Sequence, residues 1–273
     1  GMGYGVSGLN SAMTLINGVS TAISVSSSNG EHSDQGTCAV LSDGTVKCWG
    51  GLWVGNGLTS GSTSPVTATG ISSATAVSTG NNHICSSLAD GTIKCWGRNT
   101  YGQLGTGNES SQTTPALVNG ISNAKAVSAG YDFTCALLLD GTIKCWGRGT
   151  WGRLGNGSTG DQKTPVSVSG VNTSISVSTG YSHACAVLSD GTIKCWGKNT
   201  YGQLGNGTSV DSYTPVSVSG ISTAISVSSG YMHTCAVLSG GGVKCWGYGT
   251  RGQLGNGLST SQTQPVEVEY FGN

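Results

Sequence analysis

Charge is scarce in this chain. Only 9% of its 273 residues are Asp, Glu, Lys or Arg, and the two signs balance at 12 each. Without a net field the protein has no means of concentrating nucleic acid or anionic lipid around itself, so nucleic-acid and membrane-surface roles lose support. No apolar run approaches the roughly 20 residues that cross a bilayer, which argues against membrane insertion. The first residues carry neither the basic nor the apolar region of a secretory signal. The nucleophile-elbow pattern GxSxG, the zinc-protease pattern HExxH and the phosphate-cradling glycine loops are all missing. Missing too is the close CxxC spacing that closed zinc sites use. No segment sustains an apolar period of 3.6, so helical repeats are excluded.

What is present is one phrase written five times. A cysteine, nine residues and then Cys-Trp-Gly recur with the triplets starting at Cys48, Cys95, Cys145, Cys195 and Cys245. A fixed period of about 50 residues is the signature of a repeat architecture, in which stacked modules share a continuous core. The 47 glycines sit at fixed phases of that period, which makes them turn residues rather than a disordered tract.

The fourth copy shows what a module builds. SISVS, ACAVL, TIKCW and PVSV read as four short strands. Between the second and third, Asp190-Gly191 specifies a type I turn followed by a left-handed glycine, a tight hairpin that sets Cys185 opposite Cys195. Asp43, Asp90 and Asp140 repeat that turn and read as turn formers, while the fifth copy has Gly240-Gly241. A glycine-rich loop follows each CWG, anchored by Leu104, Leu154, Leu204 and Leu254, with Val54 in the shorter first copy. All five prolines fall at one phase, Pro65, Pro115, Pro165, Pro215 and Pro265, where a missing amide donor is tolerated only on an edge strand. Four-stranded sheets repeated at this length predict an all-β fold, a β-propeller of four-stranded blades with five complete repeats and an N-terminal half-repeat. The whole chain reads as one domain, with modules at about 22–70, 71–120, 121–170, 171–220 and 221–270 and a partial repeat over 1–21.

The string VSTGYSHACAVLSDGTIKCWGKNTYGQLGNG, from Val177 to Gly207, resembles the regulator of chromosome condensation repeat in the cysteine-containing form of bacterial secreted and surface proteins. The resemblance extends from about Ala22 to Val268. It implies a propeller fold. It does not select an activity, because that family includes a nucleotide exchange factor, a photoreceptor, ubiquitin-ligase modules and a secreted enzyme inhibitor. Seven blades are usual there. With five modules here, either the ring closes on five blades with the N-terminal strand packed outside, or an open arc leaves surfaces for further blades or for self-association. The compact ring is the favoured expectation.

Ten cysteines in module phase are open to three readings: disulfides, free buried thiols or metal ligands. Across each hairpin, Cys38 faces Cys48, Cys85 faces Cys95, Cys135 faces Cys145, Cys185 faces Cys195 and Cys235 faces Cys245, and disulfides are the favoured reading. Oxidation implies an exported protein, extracellular or at the cell surface. The triplet tryptophans are placed to fill the gaps between blades. His83, His183 and His233 share a strand-start phase with Phe133, so a packing role is expected there. Glu31, His32 and Asp34 form a loop cluster read as solvated. Trp53 and Trp151 lie outside the triplet phase, where no packing rule of the repeat demands a ring.

Two variable phases are the candidate binding positions. One holds Asn81, Tyr131, Tyr181 and Tyr231, expected to converge as an aromatic collar around the axis. The other holds Tyr101, Trp151, Tyr201 and Arg251 in the loops after CWG. The acidic residues share no phase that pairs them for glycoside hydrolysis. The expectation is therefore an extracellular binding propeller without catalysis, cofactor or metal, whose partner is a protein or glycan. An enzyme-inhibitor module is the alternative, and a glycosidase the more remote one.

Overall fold

The computed structural model describes residues 16–28 and 36–269. Most of the N-terminal partial repeat and the Glu31, His32, Asp34 cluster lie outside the described residues. Five antiparallel sheets of four strands follow one another, each in simple sequence order. In the fourth blade the strands are Ser174–Thr179, His183–Leu188, Ile193–Gly197 and Ser212–Ser217. The proline strand is at the outer edge of every sheet, as its lost amide donor requires.

The hairpin forms as its turn chemistry dictates. The Leu188 amide donates to the Thr192 carbonyl and the Gly191 amide to the Leu188 carbonyl, with Gly191 at φ +79. Asp190 Oδ1 accepts from both the amide and the hydroxyl of Thr192 at 2.9 and 2.6 Å, which holds its carboxyl below the usual carboxylate range. That register sets Cys185 against Cys195, and the same pairing recurs in all five blades. All five pairs are disulfides, with Cα separations of 4.0 to 4.1 Å. No cysteine is free. A ten-residue loop gives each bridge at most about 2.7 kcal/mol of chain-entropy stabilisation. Replacing Cys185 and Cys195 together by alanine should lower stability by up to that amount. A non-reducing mass ten hydrogens below that of the reduced chain checks the five bridges, and a mass equal to the reduced chain's would refute them.

Four joints hold the five blades together, and all use the same parts. Trp96, Trp146, Trp196 and Trp246 are fully buried, each donating Nε1 to a loop carbonyl of the preceding blade at 2.9 to 3.0 Å: those of Trp53, Gln103, Arg153 and Gln203. The hydroxyls of Ser26, Ser78, Ser128 and Ser178 accept a backbone amide of the following blade. Leu104, Leu154 and Leu204 fill the space behind the rings.

Histidine has the packing role that its phase implied. His83 Nε2 meets Thr134 Oγ1 at 2.8 Å, and His183 Nε2 meets Thr234 Oγ1 at 2.9 Å. The threonine hydroxyl itself donates to the Gln103 or Gln203 carbonyl. Histidine must therefore be the donor to threonine, which fixes the Nε2–H tautomer and leaves a bare Nδ1 facing Gly80 or Gly180. A Cβ on Gly80 would lie 2.7 Å from that nitrogen, so glycine is obligatory there. In the third joint Phe133 meets Ala184, an apolar pair in place of His and Thr.

The expected compact ring is not what forms. The first strands pack side by side from Ala22–Ser27 through to Ala224–Ser229, but among the described residues no comparable joint links the last to the first. Both terminal faces show it. Val25 is 68% exposed where its phase mate Val77 is 6% exposed, and Val237 is 38% exposed where Val187 is fully buried. Trp49 is half-buried where the other triplet rings are fully enclosed. Four joints therefore link the five blades in a row, and among the described residues the outer faces of the first and last blades stay unpaired.

Candidate functional site: the loop-aromatic face

Because each sheet is antiparallel, the loops after the first and third strands emerge at one end, opposite the Asp-Gly turns. Both variable phases therefore share a face. Nearest the axis, Tyr131 stacks on Tyr181 with ring centroids 4.2 Å apart, and Tyr181 on Tyr231 at 4.4 Å, tilted by 49° and 51°. The three rings form a staircase across three blades. They border a shallow open dimple together with Thr79, Thr179 and Asn81. Asn81 is buried, and its backbone N–H donates to the Gly130 carbonyl at 3.3 Å, so it shapes the dimple wall rather than projecting from it. Burial pushes the Tyr131 phenol above its ordinary value.

The second phase lies in the loops after the third strands. Arg148 stacks over Tyr101 at 4.7 Å, Lys198 over Trp151 at 4.4 Å, and Tyr248 meets Tyr201 edge-on at 4.8 Å. Each pair joins a loop ring to the residue just after CWG in the following blade, and so bridges a joint. Arg251 is exposed beyond the last of these joints. The loops are built alike. The amides of Tyr101, Tyr201 and Arg251 donate to the side-chain oxygens of Gln103, Gln203 and Gln253 at 2.8 to 2.9 Å. The third blade has Arg153 at that position, which offers no acceptor, and Trp151 adopts φ +63. A non-glycine residue in that region is strained, and such strain clusters at functional sites.

Arg153 is buried beneath Trp151, its Cζ 4.9 Å from the ring centroid. Its Nε donates to the Thr150 carbonyl at 3.1 Å and Nη1 reaches the Tyr181 carbonyl at 3.5 Å, while Nη2 has no partner. Burial, reinforced by Arg148, lowers its pKa to about 10, which still leaves it charged at neutral pH. Asp132 is buried beside the staircase and accepts from Arg148 Nη1 at 3.2 Å. Burial raises its carboxyl pKa against the opposing pull of that guanidinium. Arg148, Arg153 and Lys198 were not among the candidate residues read from sequence. The signal for Arg153 was a single arginine in a phase otherwise held by glutamine in three copies. Trp53 occupies the same phase in the first copy; it is half-buried at φ +71 and serves its joint through the carbonyl that Trp96 uses. No group of three or more His, Cys, Asp and Glu side chains is arranged for a metal among the described residues.

The regulator of chromosome condensation (RCC1) repeat model matches residues 90–137, 140–187 and 190–237, and a second model of the same repeat matches 74–103, 124–153, 175–203 and 224–253. The chain belongs to this family. No curated protein matches it. Among solved structures it resembles yeast RCC1 (Prp20) bound to Kap60, at 20% identity and a TM-score of 0.77 over 87% of this chain and 60% of that one. Prp20p from Saccharomyces cerevisiae, studied with its binding to Gsp1p and histones, matches at 20% identity and TM-score 0.77 over 87% and 62%. Human WBSCR16 matches at 21% identity and TM-score 0.77 over 86% and 65%. The chain spans less than two thirds of the length of each of these solved proteins. The likeness establishes the shared fold.

Proposed function

We propose that this chain is an extracellular binding propeller that holds a protein partner on its loop-aromatic face and performs no catalysis of its own. The observation that carries the reading is the staircase of Tyr131, Tyr181 and Tyr231 beside the paired rings and cations of the outer loops. Tyrosine supplies broad, rigid and amphipathic contact area with little side-chain entropy to lose, which suits a recognition surface. Arginine and aromatic residues are the side chains that most often anchor protein interfaces. Five bridged hairpins support an oxidising compartment, hence export. Yeast RCC1 (Prp20), similar in fold, has been solved with the protein Kap60 bound, which is in keeping with a protein partner.

Replacing Tyr131, Tyr181 and Tyr231 by alanine tests the reading. Capture of partner from the exported proteins of the source organism should fall at least tenfold, while the melting temperature stays within a few degrees. Capture equal to that of the unaltered chain would overturn the proposal, as would a captured ligand that proves to be carbohydrate alone.

A further inference from the structure

The third blade departs from its siblings at four positions that the fold does not require to change. Asp132 stands where the other blades have Asn82, Ser182 and Met232. Phe133 stands where they have histidine, Trp151 where two have tyrosine, and Arg153 where three have glutamine. The siblings close equivalent joints with their own residues, so these choices are not forced by packing. Yet the four converge. The Arg153 guanidinium lies 5.7 Å from the Phe133 ring centroid and 4.9 Å from that of Trp151. Arg148 links Asp132 to the Trp151 ring, 5.9 Å away.

The cluster is short of acceptors. Arg148, Arg153 and Lys198 surround one tryptophan, and Asp132 alone forms a salt bridge, with Arg148. Asp161, the other acid whose charge reaches Arg153, accepts the Gly149 amide at 2.8 Å. Arg153 is 1% exposed with Nη2 unpartnered. Ser182, next to the Tyr181 carbonyl that Arg153 approaches, also has a buried hydroxyl with no partner. A buried guanidinium nitrogen lacking an acceptor is a recurring cost that a ligand oxygen would remove. The Trp151 ring lies against this guanidinium while its backbone is left-handed, so a return to ordinary φ would relieve strain as the ring moves off Arg153.

We propose that Arg153, Lys198 and Trp151 form a subsite for a carboxylate of an acidic peptide segment in the partner, with Trp151 swinging aside to admit it. The proposal rests on the protein-binding reading above, since it assigns the partner's chemistry at one edge of the same face. A planar guanidinium matches a carboxylate, and Lys198 adds a second cation at the rim. The Tyr181 carbonyl ties the subsite to the staircase, so a segment lying across the tyrosines passes directly over it.

Capped oligoglutamate is the probe. Its titration should move the indole N–H resonance of Trp151, assigned with Trp151→Tyr, in a saturable way. Arg153→Gln copies Gln103, Gln203 and Gln253 and should keep the melting temperature, while weakening that response at least tenfold. Lys125→Gln, which removes an exposed cation from an innermost strand, should not weaken it. An equal loss in both variants would reduce the effect to general charge and overturn the subsite. So would a Trp151 response to inorganic phosphate or oligogalacturonate with none to oligoglutamate. The alanine triple variant at the tyrosines should retain the oligoglutamate response. Partner capture unaffected by that variant would thus sink the docking face alone, and a silent Trp151 beside tyrosine-dependent capture would sink the subsite alone.

Discussion

Trp196→Ala is expected to lower stability by about 3–5 kcal/mol, the range for emptying a fully buried tryptophan site. The ring is fully buried in the joint between the third and fourth blades, packed with Leu154, Val168 and Val171, and its Nε1 donates to the Arg153 carbonyl at 3.0 Å. Removal leaves a cavity and orphans a buried carbonyl at once. Collapse is restricted, because a Cβ on Gly155 already would lie only 2.9 Å from the indole, which shows how tightly the loop wraps it. Trp49→Ala is the internal control. Its ring is half-buried at the open end of the arc, so its cost should be less than half as large. Urea denaturation followed by circular dichroism separates the two. Equal losses would mean that the joints do not carry the stability assigned to them.

Mild acid should destabilise the protein well above the pH at which its carboxylates titrate. Burial depresses His83 and His183 from 6.5 to about 3, with the charge of His233 adding to the effect on His183. The unfolded chain therefore binds protons between pH 6.5 and about 3 that the folded chain refuses, so stability is undiminished above 6.5 and falls as pH drops through that window. At about 1.4 kcal/mol per pH unit per group, the pair should cost roughly 4 kcal/mol at pH 5. The structural cause is the bare Nδ1: a proton placed there would have no acceptor. Asp132, raised by burial, works in the opposite direction and offsets part of the loss near its own titration. His183→Phe combined with Thr234→Ala copies the Phe133 and Ala184 joint already present in the chain, and should remove the His183 share of the acid sensitivity while leaving that of His83. Thermal melting at pH 7.5, 6.5 and 5.0 reads the slope, and a flat profile over that range would refute the account of the histidines.

Much of the fold was legible because it follows from local rules. The Asp190-Gly191 turn determines a register, and the register brings Cys185 opposite Cys195 without reference to any distant residue. The phase of Trp196 and the edge position of Pro215 are likewise consequences of one repeat read alone. The openness of the arc was not legible. It shows only in three dimensions, where Val25 and Val237 are exposed although their phase mates Val77 and Val187 are buried. The tyrosine phase pointed to a shared rim, and the rings do meet. Arg148, Arg153 and Lys198 escaped notice because each acts across a joint on a ring belonging to the preceding blade or to its own loop. Arg153 had a signal in its glutamine siblings, but its buried, unpartnered nitrogen depends on the third dimension. Trp53 lies outside the triplet phase, and it serves its joint twice, through the carbonyl that Trp96 uses and through a ring packed against the core of that joint.

Hydrogen exchange of the partner-bound chain locates the docking face. Docking on the loop-aromatic face gives new protection at 80–82, 130–132, 180–182 and 230–232, extending into 148–154, with the turns at the opposite end unchanged. Protection confined to those turns, at 42–45, 89–92, 139–142 and 189–192, would contradict it.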